Sequence, residues 1–326
     1  MNTITKETQS VYDSIKEYEP VRPSELVELL GISTKNVYKH LARLLEFQKV
    51  QKLGETPVVY YSTNKPKPKT INTLDTNDLL IEYNYLYVDP TGRLIPGMEG
   101  FRTWVRKNKF DLEKQKKAYV KSLGRLSKYI KNVLISAKGR ILNGKKKIAL
   151  SQVYYNNFYT FDHFGKTKLG QLVYVGKSSQ NRELISEIVE IVKPSIENLI
   201  RKHKIGYVGF IPPTVDRKMQ FVEVFEDLLD LKFKRVEINK VASKNKLPQK
   251  SLRKLEDRVI NAKKTIAVDP TQKIDKNVLL IDDAAGSGAT LNETAKKVKK
   301  IAEPGVKVYG YAVVGSYKGF DVISEV

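Results

Sequence analysis

"NVLLIDDAAGSGATLNET", residues 277–294, carries an apolar run into two adjacent carboxylates, Asp282 and Asp283, and then into a loop of tiny residues and hydroxyls. Consecutive aliphatics from Val278 to Ile281 read as a buried strand, and the segment from about Leu291 to Ile301 reads as a helix. The acids then stand at a strand end, where they can accept hydrogen bonds from the diol of a ribose. The loop offers successive backbone N–H groups from Ala285, Gly286, Ser287, Gly288, Ala289 and Thr290. Gly286 and Gly288 allow close approach, Ser287 and Thr290 add hydroxyls, and the helix that follows contributes its positive end. This combination fits a sugar phosphate.

Outward from this stretch, strand-like and helix-like segments alternate. "QLVYVG" (171–176) reads as a strand and 180–203 as a helix; "IGYVGFIPP" (205–213) as a strand and 216–230 as a helix. "KRVEI" (234–238) precedes a polar, basic stretch and a helix around 250–263, and "VKVYGYAVVG" (306–315) closes the series. Such alternation predicts an α/β domain with a mainly parallel sheet flanked by helices. Ligands of such sheets sit at the carboxyl ends of the strands, where the twin acids stand.

"VLLIDDAAGSGAT" (278–290) resembles the phosphoribosyl-pyrophosphate (PRPP) signature of type I phosphoribosyltransferases. That resemblance implies that Asp282 and Asp283, the catalytic acids of the site, meet the ribose 2′- and 3′-hydroxyls. It implies that residues 285–290 hold the 5′-phosphate and that Mg2+ rides on the diphosphate of PRPP, with no metal site of the protein's own. "QKSLRKLEDRVINAKK" (249–264) resembles a segment of ComF-type phosphoribosyltransferases, with Gln249, Leu252, Glu256, Arg258 and Asn261 in corresponding places. The family makes this a loop and helix near the diphosphate, where Lys250 and Arg253 can neutralise charge. "GFIPPTVDRK" (209–218) then corresponds to the diphosphate loop, with Arg217 as a contact. The signature ordinarily has larger aliphatics where Ala284 and Ala285 stand, and the resemblance spans roughly residues 170–320.

The other end of the chain differs in kind. Residues 5–18 suggest a first helix, with Val11, Ile15 and Tyr18 on one face. Pro23-Ser24 starts a second, with Leu26, Leu29 and Leu30 as its stripe, and Gly31 supplies a tight turn. Ser33 or Thr34 caps a third, in which Val37, Leu41, Leu44 and Leu45 face inward. Lys35, Asn36, Tyr38, Lys39 and Arg43 point outward, types that reach phosphates and base edges from a helix in a major groove. His40 packs against the domain. "KVQKLG" and "VVYYST" alternate around Gly54–Pro57 as a hairpin would, and place Lys52 on it. The helix–turn–helix–hairpin order of "RPSELVELLGISTKNVYKHLARLLEFQKVQKLGETPVVYYST" (22–63) resembles winged helix-turn-helix domains. That resemblance implies DNA binding; a winged helix that binds protein instead is the alternative.

"NKPKPKT" (64–70) marks a boundary, so the expected division is a winged helix over 1–64, a linker and basic helical region over 65–150, and a phosphoribosyltransferase-like domain over 151–326. Residues 79–105 contain a strand-like run broken at Asp89–Gly92. Residues 111–142 read as one long helix or two, with Leu112, Leu123, Leu126, Ile130, Val133, Leu134, Ala137 and Ile141 as a stripe. Lysines and arginines occupy the rest, either as a solvated face or as a surface tracking a nucleic-acid backbone.

The bulk numbers narrow the partners. The formal charge is +22, and residues 101–150 alone hold 16 Lys/Arg against 2 Asp/Glu. This favours a polyanion, nucleic acid before an acidic lipid surface. There are no cysteines and only three scattered histidines, His40, His163 and His203, so disulfides and a zinc site are not expected. Neither a membrane span nor a signal peptide is apparent, which points to the cytoplasm. Three functions stay open. The architecture is similar to that of the purine-operon repressor family, a PRPP-responsive regulator or effector bound to DNA as a homodimer. A working Mg2+-dependent transferase is the second. The third is a DNA-processing or anti-phage component, like ComF-type proteins or those accompanying retron reverse transcriptases.

Overall fold

Capping residues set the first three helices. The computed structural model describes residues 4–18, 20–53, 59–63, 76–137, 139, 148–213, 217–240 and 255–318. Helix α1 is Lys6–Tyr18, α2 is Pro23–Leu30 and α3 is Thr34–Glu46. Pro23 opens α2, where its missing N–H costs nothing, and Glu25 Oε2 accepts the Arg22 N–H at 2.7 Å. Gly31 ends that helix at φ +63°, in the left-handed region open to glycine. Ser33 Oγ accepts the Asn36 N–H at 3.3 Å and starts α3. Val11, Ile15, Leu26, Val37, Leu41 and Leu44 close one core with Val50 and Tyr61. Leu29, expected in the stripe of α2, is 45% exposed.

Strands β1 (Val50–Leu53) and β2 (Tyr60–Thr63) pair antiparallel, Val50 opposite Thr63. The turn expected at Gly54–Pro57 and the boundary at 64–70 lie outside the described residues. Next come α4 (Thr76–Asn84), β3 (Leu86–Val88), β4 (Leu94–Pro96) and α5 (Gly97–Lys107). The break expected at Asp89–Gly92 is the β3–β4 turn, held by Asp89 Oδ1, which accepts from the Thr91 N–H at 2.8 Å and the Arg93 N–H at 3.0 Å.

The chain divides into two compact units, residues 1–120 and 121–326, and the division falls within α6 (Leu112–Ser127). The helical reading of 111–142 holds only as far as Ser127. Beyond it β5 (Ile130–Lys131) and β6 (Leu134–Ser136) make a two-residue hairpin, Lys131 opposite Leu134. Asn132 and Val133, at φ +51° and +65°, turn it. Two consecutive left-handed residues are what such a hairpin requires, and a helix cannot contain them. Tyr-Ile-Lys and Val-Leu-Ile around an Asn form a strand–turn–strand whose apolar spacing mimics a helical stripe. Ile141 lies outside the described residues.

The second unit is mixed α/β around a seven-stranded, mostly parallel sheet. Its strands are β7 (Gln152–Phe158), β8 (Ile205–Phe210), β9 (Lys234–Arg235), β12 (Asn277–Ala285) and β13 (Val308–Gly315), in the order β5-β6-β7-β13-β12-β8-β9. The five from β7 to β9 are mutually parallel, and β6 joins β7 antiparallel. The helices are α7 (Lys168–Ser179), α8 (Arg182–Lys202), α9 (Phe221–Leu229), α10 (Leu255–Thr265) and α11 (Ala289–Ile301). A small pair, β10 (Ile238–Lys240) and β11 (Ile266–Val268), stands apart. Residues 278–281 of β12 are buried without a break, as a central strand covered on both faces must be. Val278 and Leu280 share a cluster with Leu291, Ala295 and Val298 of α11.

One expected strand is a helix. "QLVYVG" (171–176) lies inside α7, not in the sheet. Thr167 caps that helix by accepting the Gly170 N–H at 3.1 Å. Leu169, Leu172, Val173 and Gly176 bury its inner face at helical spacing. A six-residue apolar run is ambiguous between strand and helix, and the cap upstream of it decides.

Candidate functional site

The acids lie within β12 rather than at its end. The strand runs two residues past Asp283, with Ala285 opposite Gly315, and the Ser316 N–H donates to the Ala285 carbonyl at 2.9 Å. The turn is therefore short. Gly288 stands at φ +63° as the cap of α11, so Ala289 and Thr290 are already helical. Ser287 Oγ accepts the Ala289 N–H at 3.4 Å. Ala285, Ser287, Gly288 and Ala289 are buried, whereas Asp282, Asp283, Ala284, Gly286 and Thr290 are partly exposed. A ligand approaching from solvent meets Gly286, Thr290 and the acids first.

Alternation along the strand puts Asp282 on the face of Leu280 and Asp283 on the face of Ile281. Asp282 Oδ1 accepts the Asp283 N–H at 2.9 Å. Asp283 Oδ2 accepts from Lys177 Nζ of α7 at 2.6 Å, with each side chain only 14% exposed. Two aromatic rings and a second lysine stand close by. Lys166 Nζ sits 4.1 Å from the Tyr174 ring centre and 5.7 Å from that of Tyr159. Burial lowers the pKa of Lys166. Burial also pushes the Tyr159 phenol well above its ordinary range; Tyr174 and Asp283 push the same way, and Lys177 opposes them.

Arg217, expected on the diphosphate loop, donates from its guanidinium to the carbonyl of Lys177. Nearby, Gln180 Oε1 accepts the Met219 N–H at 2.9 Å. The segment after β8 is thus tied to the end of α7, and Arg217 and Lys177 meet beside Asp283. Gln249, Lys250 and Arg253 lie outside the described residues; Arg258 belongs to α10, but its side chain is outside them too. Among the described residues no three His, Cys, Asp or Glu side chains gather as a metal cage.

The first unit presents its own surface. Lys35, Asn36, Tyr38 and Lys39 are exposed on α3, Arg43 is partly so, and Lys52 is exposed on β1. Val37, His40, Leu41 and Leu44 bury the other side of α3. His40 is held there, its Nδ1 2.9 Å from Thr8 Oγ1. On α6, the basic residues have mixed roles. Lys116 is buried against Asp78 at 2.5 Å, which raises its pKa, and Arg125 pairs with Asp162.

No protein-family model matches the chain, and no curated protein matches it. No helix among the described residues is long and apolar enough to cross a membrane.

Lys177, Lys166, Tyr159 and Tyr174 are absent from the residues expected at the site. Lys177 falls between the expected strand at 171–176 and the expected helix from 180, in what the sequence presents as a connection, whereas it lies in the last turn of α7. The Thr167–Gly170 cap and the apolar period from Leu169 were the available signals. Nothing local marks Tyr159 or Lys166, which the topology brings in from the far end of β7.

Proposed function

We propose that the chain is a nucleic-acid-binding protein of the winged-helix type whose C-terminal unit is phosphoribosyltransferase-like and holds a ribose phosphate, PRPP with its magnesium. It works as a ligand-responsive regulator or effector. The observation that carries the reading is the course of β12: a central parallel strand that passes through Asp282 and Asp283 and turns at Gly288 into the N-terminus of α11. Carboxylates able to accept sugar hydroxyls and the N-terminus of a helix, which favours a phosphate, then lie within one short segment toward the carboxyl edge of a sheet.

Asp283 favours a sensor over a transferase. A ribose hydroxyl that takes the place of Lys177 at Oδ2 releases an ammonium on α7, whose end is tied to Arg217 and Met219. Ligand then distinguishes two arrangements of α7, which any change in affinity elsewhere requires. The exposed basic face of α3 supplies the nucleic-acid contact, and a homodimer suits two half-sites.

Isothermal titration with PRPP and magnesium tests the ligand. Saturable heat that Asp282→Ala and Asp283→Asn abolish is expected; no heat at millimolar ligand rejects the ribose-phosphate reading. Incubation with PRPP and a panel of bases, followed by assay for released diphosphate, separates a transferase from a sensor. A Lys35→Glu/Lys39→Glu/Arg43→Glu variant should lose duplex DNA binding; unchanged binding rejects the role of α3.

A further inference from the structure

Four adjacent parallel strands enter the sheet of the second unit through lysines. Lys307 precedes β13, Lys276 precedes β12, Lys204 precedes β8 and Lys234 opens β9. All four are exposed. Lys204 and Lys276 are level across β8 and β12, Lys307 lies one residue further along, and Lys234 stands opposite Tyr207, deeper in; with neighbouring strands about 4.8 Å apart, the four stems span roughly 14 Å of sheet width. The row lies on the amino edge of the sheet, at the opposite end of β12 from Asp282 and Asp283.

Between β8, β9 and β12 this edge sinks into an open depression of about 710 Å3. Lys204, Lys234 and Lys276 line it together with Phe233, which is 40% exposed. Gly206 helps to shape it, because the Lys276 stem occupies the space a side chain there would need. Lys232 lines it too but is paired with Asp230 and adds no net charge, whereas Lys202 adds charge at the margin. Asp275 also lines the depression and stays anionic, accepting the Tyr207 hydroxyl at 2.9 Å, and with Glu303 it opposes Lys202, Lys204, Lys234, Lys276 and Lys307, which still outnumber the two acids. The excess positive field reaches His203: burial is the first cause of its lowered pKa, and Lys202 and Lys307 lower it further.

We infer that this edge is a docking groove for single-stranded nucleic acid, with phosphates on the lysine row and a base against Phe233. A basic groove beside an exposed ring is the arrangement that grips single strands, whose bases are free to stack on it. A lipid surface fits less well. A plane of headgroups cannot enter a concavity, and among the described residues Phe233 is the one large apolar side chain exposed there to insert into a bilayer. The inference uses none of the residues of the ribose-phosphate site or of α3, and it stands or falls without them.

Fluorescence anisotropy of the full chain with a labelled oligothymidine of about 20 nucleotides tests it, between about 50 and 200 mM salt. Lys204→Gln/Lys234→Gln/Lys276→Gln/Lys307→Gln should weaken binding at least tenfold and flatten the log–log salt slope by about 2 to 3, since each neutralised phosphate contributes about 0.7. Phe233→Ala should weaken binding about fivefold and leave the slope alone. If the quadruple variant fails to fold by circular dichroism, Lys204→Gln/Lys307→Gln and Phe233→Ala decide, and each must weaken binding. A folded variant that binds undiminished overturns the inference. So does a parent that ignores the oligonucleotide, including one that instead pellets with phosphatidylserine vesicles through these lysines.

Discussion

Asp283 Oδ2 and Lys177 Nζ meet at 2.6 Å, each side chain 14% exposed, where a central strand faces the last turn of α7. Each charge is kept at that depth by the other. Lys177→Met leaves the carboxylate without its ammonium and should cost about 1–3 kcal/mol, less than the full penalty of a deeply buried pair because the site stays partly wet. Lys177→Met/Asp283→Asn removes both charges and should recover most of that loss. Chemical denaturation of the parent, the two single variants and the double variant closes the cycle. Single and double variants of equal stability would mean that the pair is not coupled.

Gly288 occupies the left-handed region at φ +63° and is buried at the entry to α11. Alanine there has to carry a Cβ in a conformation that disfavours one, so Gly288→Ala should lower stability by about 1–2 kcal/mol. It should also disturb the turn from which the proposed phosphate contacts arise, and PRPP heat should fall with it. A variant as stable as the parent would show that the turn relaxes into another conformation at no cost.

Val133 is the reverse case. It is β-branched, 64% exposed and held at φ +65° in the second position of the β5–β6 turn. Glycine tolerates that conformation and valine pays for it, so Val133→Gly should stabilise the chain by about 0.5–1 kcal/mol. Thermal melting measures it as a rise in Tm; a fall would mean that the valine side chain makes contacts worth more than its strain.

The same turn shows what a linear reading can and cannot resolve. Helices α1 to α3 and strands β8, β12 and β13 were legible because local signals agreed: Pro23 and Ser33 at helix starts, Gly31 at an end, unbroken aliphatics before Asp282. The β5–β6 hairpin was not, because its central pair lacks the glycine that usually advertises such a turn. Helix α7 was misread because its apolar run is too short to separate the two periods. Within the site, the acids and the glycine turn are contiguous and could be read together. Lys177 and Tyr159 are 106 and 124 residues upstream of Asp283, and only the pairing of β7, β13 and β12 brings those segments together.

His40 and Thr8 fasten α3 to α1 through a buried contact of 2.9 Å. Thr8→Val keeps the shape and removes the hydroxyl, leaving a ring nitrogen with one partner fewer in the core. The expected cost is about 1–2 kcal/mol, with a matching loosening of the exposed face that carries Lys35 and Lys39. Urea denaturation gives the first quantity, and amide exchange along α3 gives the second. Unchanged exchange would mean that the apolar stripe alone fixes the helix.

His203 reports on the amino edge of the sheet. Its ring stacks on Tyr309 with centres 4.1 Å apart, its Nε2 lies 3.0 Å from the Tyr154 hydroxyl, and Lys202 and Lys307 face it with positive charge. Burial first and those lysines second lower its pKa below the ordinary 6.5. The unfolded chain therefore takes up a proton at a pH where the folded chain does not, and stability drains away as pH falls below about 6.5 while staying level above it. His203→Gln should blunt that acid loss, seen as a smaller drop in Tm between about pH 7.5 and 5.5. The same ring is a probe for the groove: phosphates docked on the lysine row would offset the charge of Lys307 and draw the His203 titration upward. Proton NMR of the imidazole with and without oligothymidine should show that rise in the parent and lose it in the lysine-to-glutamine variant. An imidazole that titrates identically in both would put the bound strand somewhere other than this edge.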